Sequence, residues 1–167
     1  KRLIAVGREQ PAWQIYEDEP LEPRQVRVES EYGAAKHGTE MAFYKGYALD
    51  RGAYDQDLEL FVAPESQYSA YPLTLGNMLV GRVTEVGPDV ERLSEGDRVC
   101  FYSGFRETAV IVEDRGWLMP ERMPWQSAVC IDPADFAVGA VRDGHVRVGD
   151  AVAVFGASGT LRIELEQ

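Results

Sequence analysis

Short alternating runs of apolar and polar residues, punctuated by glycine, proline and acidic residues, dominate the first two thirds of the chain. Residues 2–6 predict a short strand ended by Gly7, and residues 10–16 a second, with an acidic, proline-bearing turn behind it. Residues 25–31 alternate apolar and polar, the mark of a half-buried strand. Residues 41–45 allow one helical turn closed by Gly46, with Thr39 or Glu40 near its start. Residues 47–71 are polar and rich in Tyr and Asp, and residues 57–62 within them are too short to assign.

The stretch LGNMLVGRVTEVGPDVERLSEGDRV, residues 75–99, is the most informative. Val80, Val83, Val86 and Val90 supply β-branched bulk, and Gly87-Pro88-Asp89 supplies the turn chemistry of a hairpin. Gly81, with no Cβ, lets another backbone approach closely. Beyond it, residues 108–113 predict a strand and residues 116–120 an edge element. Residues 124–131 open a helix. Asp132-Pro133 reads as an N-cap followed by proline at the first helical position, with the helix ending at Gly144. Residues 151–155 are an apolar run of the kind buried in a parallel sheet. The spacing of the short strands predicts a barrel or sandwich, mainly β with a few short helices.

Composition narrows the function. The chain has 167 residues, 45% hydrophobic and 27% charged, enough for one sizeable core. A formal net charge of −11 disfavours non-specific binding to nucleic acid or to an anionic membrane. No apolar run is long enough to span a bilayer, and the first twenty residues carry mixed charges rather than a signal-peptide pattern. Cys100 and Cys130 form no CxxC, which points to a reducing compartment, the cytoplasm, and to buried inert thiols. His145 reads as a solvated turn residue. Phe43, Tyr44, Tyr47, Tyr68 and Tyr71 could equally line a pocket or anchor loops over the barrel.

Residues 75–99 resemble the phrase G-x-V-x-x-V-G-x-x-V-x-x-L-x-x-G-D-R-V of the medium-chain dehydrogenase/reductase, or zinc-type alcohol dehydrogenase, superfamily. The resemblance implies a GroES-like, partly open β-barrel with a few short helices. It also implies an oxidoreductase parent that moves hydride between a nicotinamide, NAD(P), and a small-molecule alcohol or ketone. Residues 36–46 resemble C-G-[ST]-D-x-x-x-x-x-G, with His37 standing where the zinc-binding cysteine stands. The resemblance would make Thr39 the hydroxyl that bonds the substrate alcohol and relays its proton, and Glu40 a metal ligand or a carboxylate behind the metal. The plainer alternative has Thr39 and Glu40 capping a short helix and His37 in a loop. Where the superfamily has Gly-His-Glu, this chain has Gly76-Asn77-Met78, and Asn and Met are poor zinc ligands. Asp132 falls near the third ligand position, where a helix cap is the competing reading. The cysteine-rich structural zinc lobe is absent. The expectation is therefore no firmly bound zinc, with zinc or another cation held weakly at His37 with water as the alternative.

Residues 149–157 resemble the opening of a dinucleotide-binding unit, with Gly156, Ala157 and Gly159 as the phosphate-binding turn. The match then stops, and residues 160–166 alternate like a strand. The expectation is a catalytic (substrate) domain over residues 1–150, a remnant of the first Rossmann strand and turn over 151–159, and a returning strand over 160–167. On that reading the chain is inactive alone and does not bind the cofactor, and an exposed former interdomain surface could join copies of it. The alternative is a non-enzymatic GroES-like binding or assembly module, or an engineered domain-deletion scaffold.

Overall fold

The computed structural model describes residues 1–47, 53–62 and 71–153. Packing divides the chain into two compact units, Lys1–Pro120 and Glu121–Gln167. The division falls after Pro120, ahead of the boundary expected at 150. The strand ladders end there, and the helices that follow are held by local hydrogen bonds.

The first unit is built on antiparallel strands. β1 (Arg2–Gly7), β2 (Gln10–Gln14) and β3 (Gln25–Ala34) lead to helix α1 (His37–Tyr44). The hairpin strands β4 (Ala53–Asp55) and β5 (Leu60–Val62) and the short β6 (Leu73–Thr74) follow. Then come β7 (Met78–Val86), β8 (Arg98–Tyr102), β9 (Thr108–Val112), a 3₁₀ turn (Glu113–Arg115) and β10 (Trp117–Leu118). The main sheet has five strands in the order β10-β8-β7-β3-β9, so the β7–β8 hairpin lies at its heart and β10 is indeed an edge. A three-stranded sheet has the order β2-β1-β6, and among the described residues β4 pairs only with β5. The unit is mainly β with few short helices, as the strand spacing predicts, and its sheets agree with the GroES-like, partly open barrel that the resemblance implies.

Alternation explains the core. Val26 and Val28 of β3, Leu79 and Val83 of β7, Val99 and Phe101 of β8 and Ala109 of β9 bury together with Leu93. Val86 and Val90 pack against this cluster from its margin. β7 buries four consecutive residues, Met78 to Gly81, because it is paired on both edges and covered at that end. Gly81 faces Ser30 across the β3–β7 ladder, and a Cβ built on it would lie 2.3 Å from the Glu29 carbonyl oxygen. The close backbone approach expected at Gly81 is therefore present.

A buried carboxylate closes the end of the sheet. Glu113 is 1% exposed and accepts from the Arg24 guanidinium at 2.9 Å and from the backbone N–H groups of Glu91 (3.0 Å) and Arg92 (2.9 Å). It thereby pins the β7–β8 connection to the end of β9.

In the second unit, α2 (Trp125–Ala128) starts behind Pro124, as expected, and α3 (Ile131–Asp143) ends at Gly144. The N-cap of α3 is Cys130, without a side-chain cap bond. Asp132 is therefore the second helical residue and not the cap. Pro133 sits third, still in the first turn, where its missing N–H costs no helical bond. Residues 151–153 lie in no strand. The rest of the expected parallel strand, the turn with Gly156, Ala157 and Gly159, and the expected strand over 160–166 lie outside the described residues.

Candidate functional site

Three of the four candidate catalytic residues fall on α1, which follows β3 after a two-residue connection. The helix begins earlier than its pattern suggests, at His37 rather than near Met41. Its N-cap is Lys36, with no side-chain cap bond, so neither Thr39 nor Glu40 caps it and His37 is not in a loop. It closes as expected at Gly46, which has a φ of 82° and donates to the Phe43 carbonyl at 3.0 Å. The Tyr71 hydroxyl also donates to the Phe43 carbonyl, at 3.2 Å, and so anchors the end of the helix. Tyr47 is exposed and Tyr68 lies outside the described residues.

Helical phase sorts the three residues. His37 and Glu40, three apart, are neighbours on the helix surface. Thr39 lies about 200° round from His37 and flanks Glu40 on the other side. His37 and Thr39 are exposed, and Glu40 is half-buried. One carboxylate oxygen of Glu40, Oε1, is buried without a hydrogen-bond partner among the described residues. Burial raises the proton affinity of this carboxyl above the ordinary carboxylate range, against the opposing pull of the Lys36 and Gly76 backbone N–H groups.

Gly76 lies in the segment leading into β7. Gly76 has a φ of 110°, and a Cβ there would lie 2.4 Å from the Phe105 backbone nitrogen, so glycine is needed on both counts. The flanking backbone is fixed: Phe105 N–H donates to the Leu75 carbonyl at 2.7 Å, and Asn77 N–H donates to the Ala34 carbonyl at 3.2 Å. Asp132 belongs to the second unit, where it is 4% exposed in the first turn of α3.

The donor set does not suit zinc. His37 is exposed, Asn77 is a neutral amide, and the Met78 side chain is wholly buried in β7. Among the described residues no three His, Cys, Asp or Glu side chains form a group able to hold a metal ion. The cysteines differ from each other. Cys100 is buried in β8, where burial pushes its thiol up to about 11, as an inert thiol requires. Cys130 is exposed, contrary to expectation, because it caps α3 instead of lying on an apolar face. His145 is an exposed turn residue with a φ of 54°. Among the described residues no helix is long and apolar enough to cross a membrane.

Comparison with known proteins places this arrangement. Residues 22–121 match the family described as the alcohol dehydrogenase GroES-like domain. D-guloside 3-dehydrogenase of Escherichia coli (strain K12) is 35% identical over 178 residues, covering 99% of this chain and 50% of that protein. The crystal structure of 2R,3R-butanediol dehydrogenase from Bacillus subtilis superposes with a TM-score of 0.72 at 21% identity, covering 95% of this chain and 51% of that one. That of CAD from Helicobacter pylori complexed with NADP(H) gives 0.74 at 14% identity, covering 99% and 54%. These two superpositions concern the fold. The chain spans about half the length of the relatives it matches. With the matched segment covering the barrel from the approach to β3 through β10, the chain belongs to the alcohol dehydrogenase GroES-like domain family.

Proposed function

We propose that residues 1–120 form the substrate side of a dehydrogenase acting on a hydroxyl of a glycoside or polyol. The observation that carries this reading is the placement of Thr39 and Glu40 on α1, in a barrel whose 35%-identical relative is named a D-guloside 3-dehydrogenase. The exposed Thr39 hydroxyl accepts a hydrogen bond from the reacting substrate hydroxyl and passes on its proton. Glu40, beside it, orients the sugar ring. A nicotinamide, when bound, accepts the hydride. Hydride transfer needs the ring and the substrate carbon held within a few Å of each other, so it requires a cofactor-binding half of the kind the relatives' additional length supplies. No step here passes through zinc, whose donors do not fit.

The test is an assay of methyl guloside oxidation with NAD⁺ or NADP⁺. It is run on the 167-residue polypeptide and on that polypeptide fused to the second half of the E. coli relative. The expected result is no reduced nicotinamide from the first and sustained production by the fusion. It should fall about 100-fold or more in the fusion carrying Thr39→Val. Turnover by the 167-residue polypeptide alone contradicts the division of labour. A fusion that binds nicotinamide but oxidises nothing contradicts the substrate-side reading.

A further inference from the structure

A cavity of about 440 Å³ opens on the barrel where β1 and β2 meet the end of β3 and the segment joining β8 to β9. Among the described residues, none of α1 and none of 75–78 lines it, so it lies apart from the candidate site. Register builds it. Leu3 of β1 stands opposite Trp13 of β2, and the Leu3 N–H donates to the Phe105 carbonyl at 2.8 Å. Gly33 lets the floor close: a Cβ there would lie 2.6 Å from a Leu79 methyl and 2.8 Å from the Phe105 ring. The floor is apolar, and two aromatic residues border it with much of their surface open, Trp13 at 61% and Tyr32 at 46%. A tryptophan this open beside a cavity forgoes the burial that folding rewards, as ligand-binding surfaces do.

The charged residues that line the cavity differ in their commitments. Glu31 is paired with Arg98 at 3.0 Å and with Arg82 at 3.3 Å. The Arg106 guanidinium lies 4.6 Å from the Tyr16 ring centroid, and its Nε donates to the Thr108 carbonyl at 2.6 Å. The Glu107 carboxylate is 60% exposed and is met by the main-chain amine of Lys1 at 2.5 Å. The Lys1 side chain places its ammonium 5.5 Å from the Trp13 ring centroid, within the range at which the negative face of the ring attracts a cation.

We propose that this cavity binds a small organic ammonium with an apolar body, and that the Lys1 ammonium is its internal stand-in. The ligand's cation replaces Lys1 Nζ on the face of Trp13, and Glu107 balances its charge. Its apolar body lies on Leu3, Leu79 and Phe105. The net charge of −11 draws cations toward the chain. An anionic ligand would meet the open Glu107 carboxylate and that same negative field.

NMR titration of the 167-residue protein with benzyltrimethylammonium tests this, followed at the β2 amides and the Trp13 indole N–H. Phenethyl alcohol and phenylacetate serve as the neutral and anionic probes. The expected result is saturable binding of the cation, with the alcohol about 5-fold weaker and the anion weaker still. Trp13→Leu, which keeps an apolar side chain and removes the ring, should weaken binding of the cation about 3–5-fold. Glu107→Gln should weaken it similarly and flatten its salt dependence. Lys1→Met, which removes the internal competitor, should tighten it about 2–5-fold. Circular dichroism checks that each variant keeps its fold. Equal affinity for the three probes overturns the proposal, as does the absence of saturable shifts at β2. Weaker binding by Lys1→Met overturns the stand-in role. None of these outcomes bears on the substrate-side reading, which concerns α1.

Discussion

Gly81→Ala should cost about 3 kcal/mol of stability, lowering the urea midpoint with little change in slope. The reason is geometric. Gly81 is paired with Ser30 in the middle of the β3–β7 ladder, and the new methyl would lie 2.3 Å from the Glu29 carbonyl oxygen and 2.7 Å from a Val28 methyl. The oxygen is backbone and cannot rotate away. The two strands must part, and they are the two that carry Val26, Val28, Leu79 and Val83 into the core. Separating them loosens the apolar cluster as well as the ladder. An unchanged midpoint would show that this strand pair is not held as described.

Glu113→Gln should be the most damaging polar substitution, lowering Tm by on the order of 10 °C in a chain of this size. The carboxylate serves Arg24 with one oxygen and two backbone N–H groups with the other, and the amide has only one acceptor to divide among them. The effect should depend on pH. The hydrogen bonds from the Arg92 backbone and the Arg24 side chain, with that from the Glu91 backbone, hold the folded-state carboxyl at about 2, below its ordinary 4.5. A depressed value stabilises the folded form fully above about pH 5, and that stabilisation is lost as pH falls through 4.5 toward 2. The Tm difference between wild type and variant should therefore shrink steadily from pH 6 to pH 2.5. A difference that stays constant over this range would place the carboxylate outside the network.

These two residues also mark what can be read from a sequence. Gly81 is legible because it sits inside a valine-bearing strand pattern, where a glycine marks a bulge or a close backbone approach. The hairpin of β7 and β8 and the strand β9 are legible for the same reason: their order is local and periodic. Glu113 is not legible. Its partners lie about 20 residues away at Glu91 and Arg92 and 89 away at Arg24, and nothing in the neighbourhood of residue 113 announces them. The start of α1 is misplaced in the sequence because Gly38 and Thr39 are weak helix formers, yet they lie inside the first turn. Asp132-Pro133 has the composition of a cap, but the helix starts just ahead of it. In the candidate site, the residue types at His37, Thr39, Glu40 and Asn77 are visible in the chain. The burial of one Glu40 oxygen depends on the fold.

Two-dimensional amide NMR of the 167-residue protein during titration with methyl guloside tests the central claim most directly, since it asks where a polyhydroxylated ligand sits. The account predicts saturable shifts concentrated at Thr39, Glu40, Gly76 and Asn77, with the β2 strand and α3 unmoved. Saturable shifts confined to other parts of the barrel, with those four amides silent, would contradict it.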